Sequence, residues 1–187
     1  MVVDVGLGVR ELGAESRHGI YRYAPDSDEW EYLDVQGLDP FIPHDKYSVI
    51  YFGNTKCSAC RRYDIYWYPF VRGMCREGSS DFAFYVILCG WFAKDCNSVP
   101  ASVTYMHFDV HSSPTTILTS WVDGRLAYKE KYEGVLSDVD LKTVVPTFPE
   151  RVEKFLKGKP VKPPISKEDT LLSLINKLLK SEGDKDV

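Results

Sequence analysis

The sequence predicts an α/β fold, and three observations carry that prediction. Two short apolar runs, Tyr47–Phe52 and Phe82–Leu88, are rich in β-branched and aromatic residues and suit buried strands better than helices. Between them Tyr63, Trp67, Phe70, Val71 and Met74 recur at helical spacing and define one apolar face. Two cysteines, Cys57 and Cys60, stand where the first strand gives way to that helix.

The remaining elements follow in chain order. Residues 1–45 read as a β-rich N-terminal extension, in which 18–24 and 29–35 alternate with period two around the turn residues Pro25-Asp-Ser-Asp28, a hairpin pattern. Residues 46–158 form the main domain. Its first helix should be kinked at Pro69, with Gly73 and Gly78 as stop signals. A Cys89–Cys96 segment and a helix ending near Phe108 come next. Residues 116–122 and 125–132 read as strands joined at Asp123-Gly124, a strong hairpin signal. Ser137 with Asp140 has the spacing of a capping box, and Thr147 with Glu150 the same spacing beyond the interruption at Pro146. Residues 159–187 comprise a Pro-rich linker and an amphipathic C-terminal helix over 169–180.

Composition narrows the function. At 187 residues, 44% hydrophobic and 27% charged, the chain resembles an ordinary globular protein with no need of staples. A net charge of −4 speaks against a nucleic-acid partner, which calls for a basic face. No apolar run approaches bilayer-spanning length, and the early Asp4 breaks any leader-like pattern, so no membrane role is expected and the chain reads as cytoplasmic, or as a mature form whose leader has been removed. Five cysteines are too few for a disulfide framework, and an odd number leaves one thiol over.

The pair Cys57-Ser58-Ala59-Cys60 carries the chemistry. A helix N-terminus presents unpaired N–H groups and the positive end of the helix dipole, which stabilise a thiolate. Two intervening residues let a disulfide close with little rearrangement. Lys56 and Arg61 add positive charge and are the candidate thiolate-tuning residues, with Arg62 beside them. Basic residues at a helix start oppose the dipole, a local cost that points to function. A basic cluster on a solvated face is the plainer alternative.

On these residues, together with the segment Val110-His-Ser-Ser-Pro-Thr115, the Asp123-Gly124 hairpin and Gly134, the chain resembles the thioredoxin superfamily over residues 45–158. The resemblance implies a thioredoxin-like three-layer fold, a central mixed β-sheet flanked by helices, with the N-terminal hairpin and C-terminal helix added. It implies a cis Ser113–Pro114 peptide bond beside the cysteines and substrate binding through Ser113 and Pro114, the Ser113 backbone pairing with a substrate strand. Cys57 would be the exposed attacking thiol and Cys60 the buried resolving one. Three positions depart from the family pattern. Ser58-Ala59 replaces Gly-Pro, Lys56 replaces a Trp, and Tyr51 stands where a buried aspartate usually serves the resolving thiol.

The expected function is thiol–disulfide exchange with protein substrates, with no cofactor beyond the Cys57–Cys60 couple. The partners would be protein thiols or disulfides and a reductase or oxidant still to be identified. A non-catalytic binding or chaperone module is the alternative, and a metal or cluster on Cys57 and Cys60 a third class. Cys89 and Cys96 form either a second disulfide or two separate thiols, and Cys75 reads as a buried or semi-buried thiol. His107 and His111 lack a second ligand pair at zinc spacing, so no metal site is expected. The C-terminal helix packs on the domain or on a second copy, giving a possible homodimer.

Overall fold

The computed structural model describes residues 8–78 and 81–165. The amphipathic segment 169–180, with the homodimer expectation attached to it, lies outside the described residues. Ten elements run in the order β1 (Gly19–Ala24), β2 (Glu29–Leu33), β3 (Tyr47–Asn54), α1 (Ser58–Arg76), β4 (Phe82–Cys89), α2 (Val99–His107), β5 (Thr115–Val122), β6 (Arg125–Glu133), α3 (Asp138–Val144) and α4 (Phe148–Leu156).

One six-stranded sheet holds them together, in the order β2-β1-β4-β3-β5-β6. The β3–β4 pair is parallel, joined by the α1 crossover; β1–β2, β1–β4, β3–β5 and β5–β6 are antiparallel. Strands β3 and β4 at the centre are covered on both faces, which is why their sequences are almost unbroken apolar runs. Alternation sorts their side chains. Val49, Tyr51, Phe84, Val86 and Leu88 face α1, α3 and α4 in one core. Ile50, Phe52, Tyr85 and Ile87 face α2 in the other. The result is the three-layer α/β arrangement expected from the resemblance.

The N-terminal hairpin is part of this sheet. β1 pairs with β4 along Gly19↔Leu88 to Arg22↔Tyr85, and Trp30 of β2 packs at 5.7 Å against Tyr68 of α1. The segment before it crosses α1, where the Leu12 carbonyl accepts the Tyr68 hydroxyl at 3.1 Å and Glu11 pairs with Arg72. At the opposite edge Asp123 and Gly124 both adopt positive φ, 50° and 72°, as a tight β5–β6 hairpin turn requires.

Several local expectations are corrected. Gly73 is interior to α1, which runs on through Pro69 to Arg76; Gly78, at φ 81°, is the residue that terminates it. Ser98, two residues beyond Cys96, is the cap of α2. Ser137 and Asp140 form a reciprocal capping box, but Thr147 is αR and makes no side-chain cap. Its hydroxyl instead donates to Thr143 O and receives Arg151 Nη1 at 2.6 Å. Arg151 explains the difference. It reaches from α4 into the core to clamp Glu130 of β6 at 2.6 and 2.7 Å, and Thr147 is drawn into that network.

Candidate active site

β3 ends at Asn54, and three residues later Cys57 is the N-cap of α1, in extended conformation. Its sulfur stands where a capping oxygen normally would, and accepts the Cys60 N–H at 3.2 Å. Thiolate stabilisation at this position thus has a specific donor as well as the helix dipole. Cys60, one turn on, is fully buried. The Asn54 N–H donates to its sulfur at 3.4 Å, and the Ser113 hydroxyl lies 2.9 Å away. Burial pushes the Cys60 thiol up to about 11, against the opposing pull of Asn54 and Ser113. Both cysteines are free thiols.

The two sulfurs face the loop that enters β5. Ser113–Pro114 is a cis peptide bond, and the Ser113 carbonyl accepts the Cys57 thiol at 3.5 Å. Gly134 N–H donates to Pro114 O at 2.8 Å and fixes the loop from β6. One expectation needs correcting here: Cys57 is only 7% exposed, because Ser113 and the cap geometry cover much of it. Attack on a polypeptide disulfide therefore has to displace the Ser113 contact.

Both tuning candidates have carboxylate partners. Lys56 pairs with Asp95 at 2.6 Å, largely in solvent, where such a pair is worth little. Arg61 pairs with Asp64 at 3.2 Å, and the same nitrogen reaches Leu12 O at 3.5 Å. Cys89 and Cys96 are bridged. Their loop braces the approach to Cys57: Thr55 N–H donates to Cys89 O at 2.8 Å, Lys56 N–H to Gly90 O at 3.3 Å, and Phe92 N–H to Asn54 Oδ1 at 2.8 Å. His111 is exposed and paired with Asp109 at 2.6 Å. Among the described residues no cluster of three His, Cys, Asp or Glu side chains could hold a metal, and no helix is long and apolar enough to cross a membrane.

Behind the cysteines lie Tyr51, read in the sequence only as a departure from the family pattern, and Asp64, which escaped attention there. Tyr51, on β3, donates its phenol to Asp64 Oδ1 at 3.1 Å, and burial first, with Cys60 adding to it, pushes that phenol well above its usual range. Asp64, one turn beyond Cys60, has a side chain only 13% exposed. Burial pushes its carboxyl up to about 6, although Arg61 and the Tyr51 hydrogen bond both pull it down. A legible signal did exist. Positions 60, 64, 67 and 71 lie on one helical face, and the acid among them interrupts an otherwise apolar stripe.

No family model and no curated protein matches this chain. Solved structures that it resembles include thioredoxins. That of Aeropyrum pernix is 13% identical, with 73% of this chain and 97% of that one covered at a TM-score of 0.44. That of Trichomonas vaginalis is 16% identical, with 58% and 78% covered at 0.35. These are likenesses in the course of the chain alone, and the chemistry below comes from this protein's own residues.

Proposed function

We propose that the protein is a thiol–disulfide oxidoreductase that exchanges dithiol and disulfide with protein substrates through Cys57 and Cys60. The observation that carries the reading is the asymmetry of the pair. One sulfur caps a helix and receives an N–H, while the other is sealed behind it. That division suits a nucleophile and a resolving thiol. Cys57 attacks a substrate disulfide as its thiolate and the first substrate sulfur departs. The Cys60 thiolate then attacks Cys57, forms the Cys57–Cys60 disulfide and releases the second substrate sulfur. Substrate is reduced by two electrons and the couple is oxidised by the same two. The reverse sequence oxidises a dithiol.

Ser113 and Pro114 are the substrate platform in this proposal. The Ser113 carbonyl, occupied by the Cys57 thiol in the resting dithiol, is released once that sulfur enters a mixed disulfide, and can then pair with the substrate strand. Lys56 and Arg61 flank the pair but are each engaged by a carboxylate, Asp95 and Asp64. The bridge between Cys89 and Cys96 bears on location. Disulfides of this kind persist in oxidising compartments and are rare in the cytosol, so we favour an oxidising compartment over the cytoplasm.

Reduction of insulin by the protein, with dithiothreitol as electron donor, tests the reading. Turnover should be lost in Cys57→Ser. Turnover retained in that variant would remove Cys57 from the nucleophile role. An intact fold with no turnover in the unaltered protein would leave the binding-module alternative.

A further inference from the structure

Cys60 has to become a thiolate to attack Cys57 in the mixed disulfide, in a place where its sulfur is fully buried. The titratable groups that bear on that sulfur are Cys57 and the Tyr51 and Tyr105 phenols, all of them acids. Two neutral groups meet it instead, the Ser113 hydroxyl at 2.9 Å and the Asn54 N–H at 3.4 Å. The hydroxyl can rotate between donating and accepting, whereas the N–H can only donate. We propose that Asn54 is a positioning residue for the resolving step: its side-chain amide fixes the backbone so that its own N–H stays aimed at the Cys60 sulfur as that sulfur turns anionic. The proposal rests on the redox reading of Cys57 and Cys60 and names the residue that steadies the second sulfur.

The sheet explains why this N–H is free to serve. Pairing of β3 with β5 stops at Phe52↔Thr115, while pairing with β4 continues to Asn54↔Cys89. Thr55 N–H still reaches Cys89 O on β4 at 2.8 Å. The N–H of Asn54, one residue back, points to the other side, where β5 has ended, and meets the sulfur of α1. The short stretch 53–55 is held from several elements. The Tyr105 hydroxyl of α2 donates to Gly53 O at 2.5 Å, and the Phe92 N–H of the loop after β4 donates to Asn54 Oδ1 at 2.8 Å. Of these ties, the one to Phe92 is made by the side chain at position 54.

Packing alone would not select this residue. Asn54 is fully buried at the end of a central strand, and its Nδ2 has no hydrogen-bond partner among the described residues. Its Oδ1 also holds Phe92 at a φ of 55°, a left-handed conformation that a bulky side chain seldom adopts. Both costs converge on the bond between the 90–95 loop and the backbone that carries the donor to Cys60, a pattern that marks functional positions. The gain lies in the chemistry. Burial pushes the Cys60 thiol up to about 11, and the Asn54 N–H is the strongest influence in the other direction. As Cys60 gives its proton to solvent, this N–H donates to the anion. The bond from Cys60 to Cys57 forms while the bond from Cys57 to the substrate sulfur breaks, and the departing substrate thiolate takes up a proton from solvent.

Stopped-flow reaction of the reduced protein with 5,5′-dithiobis(2-nitrobenzoate) separates the steps. The first release of coloured thiolate reports attack by Cys57, and the second reports resolution by Cys60. Asn54→Ala keeps the backbone N–H but removes the acceptor for Phe92. In that variant the second phase should slow about tenfold relative to the first at pH 8. The deficit should narrow after a jump above pH 11, where Cys60 of the unaltered protein is already ionised. A site that had merely loosened would keep one deficit at every pH. Amide hydrogen exchange followed by NMR gives a second measurement that leaves position 54 intact. In Cys60→Ala the Asn54 N–H should exchange about tenfold faster or more than in the unaltered protein, having lost its acceptor. An unchanged ratio of the two phases, a deficit constant with pH, or an Asn54 amide indifferent to loss of the sulfur overturns the proposal. Absence of any second phase in the unaltered protein would instead sink the redox reading beneath it.

Discussion

Two buried carboxylates in this protein are treated in opposite ways. Glu130, on β6, meets Arg151 Nε at 2.6 Å and Nη2 at 2.7 Å, and also receives the phenols of Tyr128 and Tyr132 at 2.8 and 2.7 Å. Arg151 completes its own bonding on Val144 O and Thr147. Both carboxylate oxygens receive two donors each and four of the five guanidinium N–H groups have acceptors, and the cluster ties β6 to α3 and α4. Asp64, under the cysteines, gets a single Arg61 contact, itself shared with Leu12, and one phenol. The first carboxylate is satisfied and holds the fold. The second is under-compensated and keeps a carboxyl near the working pH. Burial alone does not distinguish structure from function; the completeness of the answering bonds does.

The contrast breaks most sharply at Glu130. Glu130→Gln leaves Arg151 as a buried charge without its counter-ion, and should cost about 3–5 kcal/mol in urea unfolding at pH 7. A loss under 1 kcal/mol would mean that the clamp is decorative. Asp64→Asn should act in the reverse sense and stabilise the protein. The folded carboxyl, at about 6, binds its proton more tightly than the unfolded one, at 3.8. The favourable contribution of that protonated group is therefore complete below pH 3.8 and lost as pH rises through 6. Removing the charge should gain roughly 1–3 kcal/mol at pH 7 and almost nothing at pH 4. A gain equal at both pH values would show that Asp64 is not the under-compensated group. The smallest effect tests a site remote from both carboxylates: Ser137→Ala removes one half of the α3 capping box and should cost about 1 kcal/mol, without changing the rate of disulfide exchange.

The same contrast marks what was readable in the sequence. β3 and β4 announce themselves because burial on both faces demands apolar residues throughout, and Cys57 and Cys60 because strand-to-helix placement gives a CxxC pair its meaning. Asp123-Gly124 and the Ser137–Asp140 box are local signals with local causes, so they transfer directly to structure. Thr147 failed because its hydroxyl is taken up by Thr143 O and by Arg151, a side chain that the distant Glu130 holds in place. The sequence pattern around 18–35 predicts a hairpin but not that β1 anneals to β4, since register between distant strands is written in neither one alone. Asp64 was hidden for a related reason. Its spacing from Cys60 was visible, but its significance depends on Tyr51, thirteen residues earlier on another element.

The central claim is that Cys57 is the nucleophile and Cys60 the resolving thiol. It is tested most directly by trapping a disulfide-containing peptide on Cys60→Ser and on Cys57→Ser and locating the adduct by mass spectrometry. The account predicts a stable mixed disulfide at Cys57 in the first variant, and none at Cys60 in the second on the same timescale. An adduct that forms readily at Cys60, or none at Cys57, would contradict it.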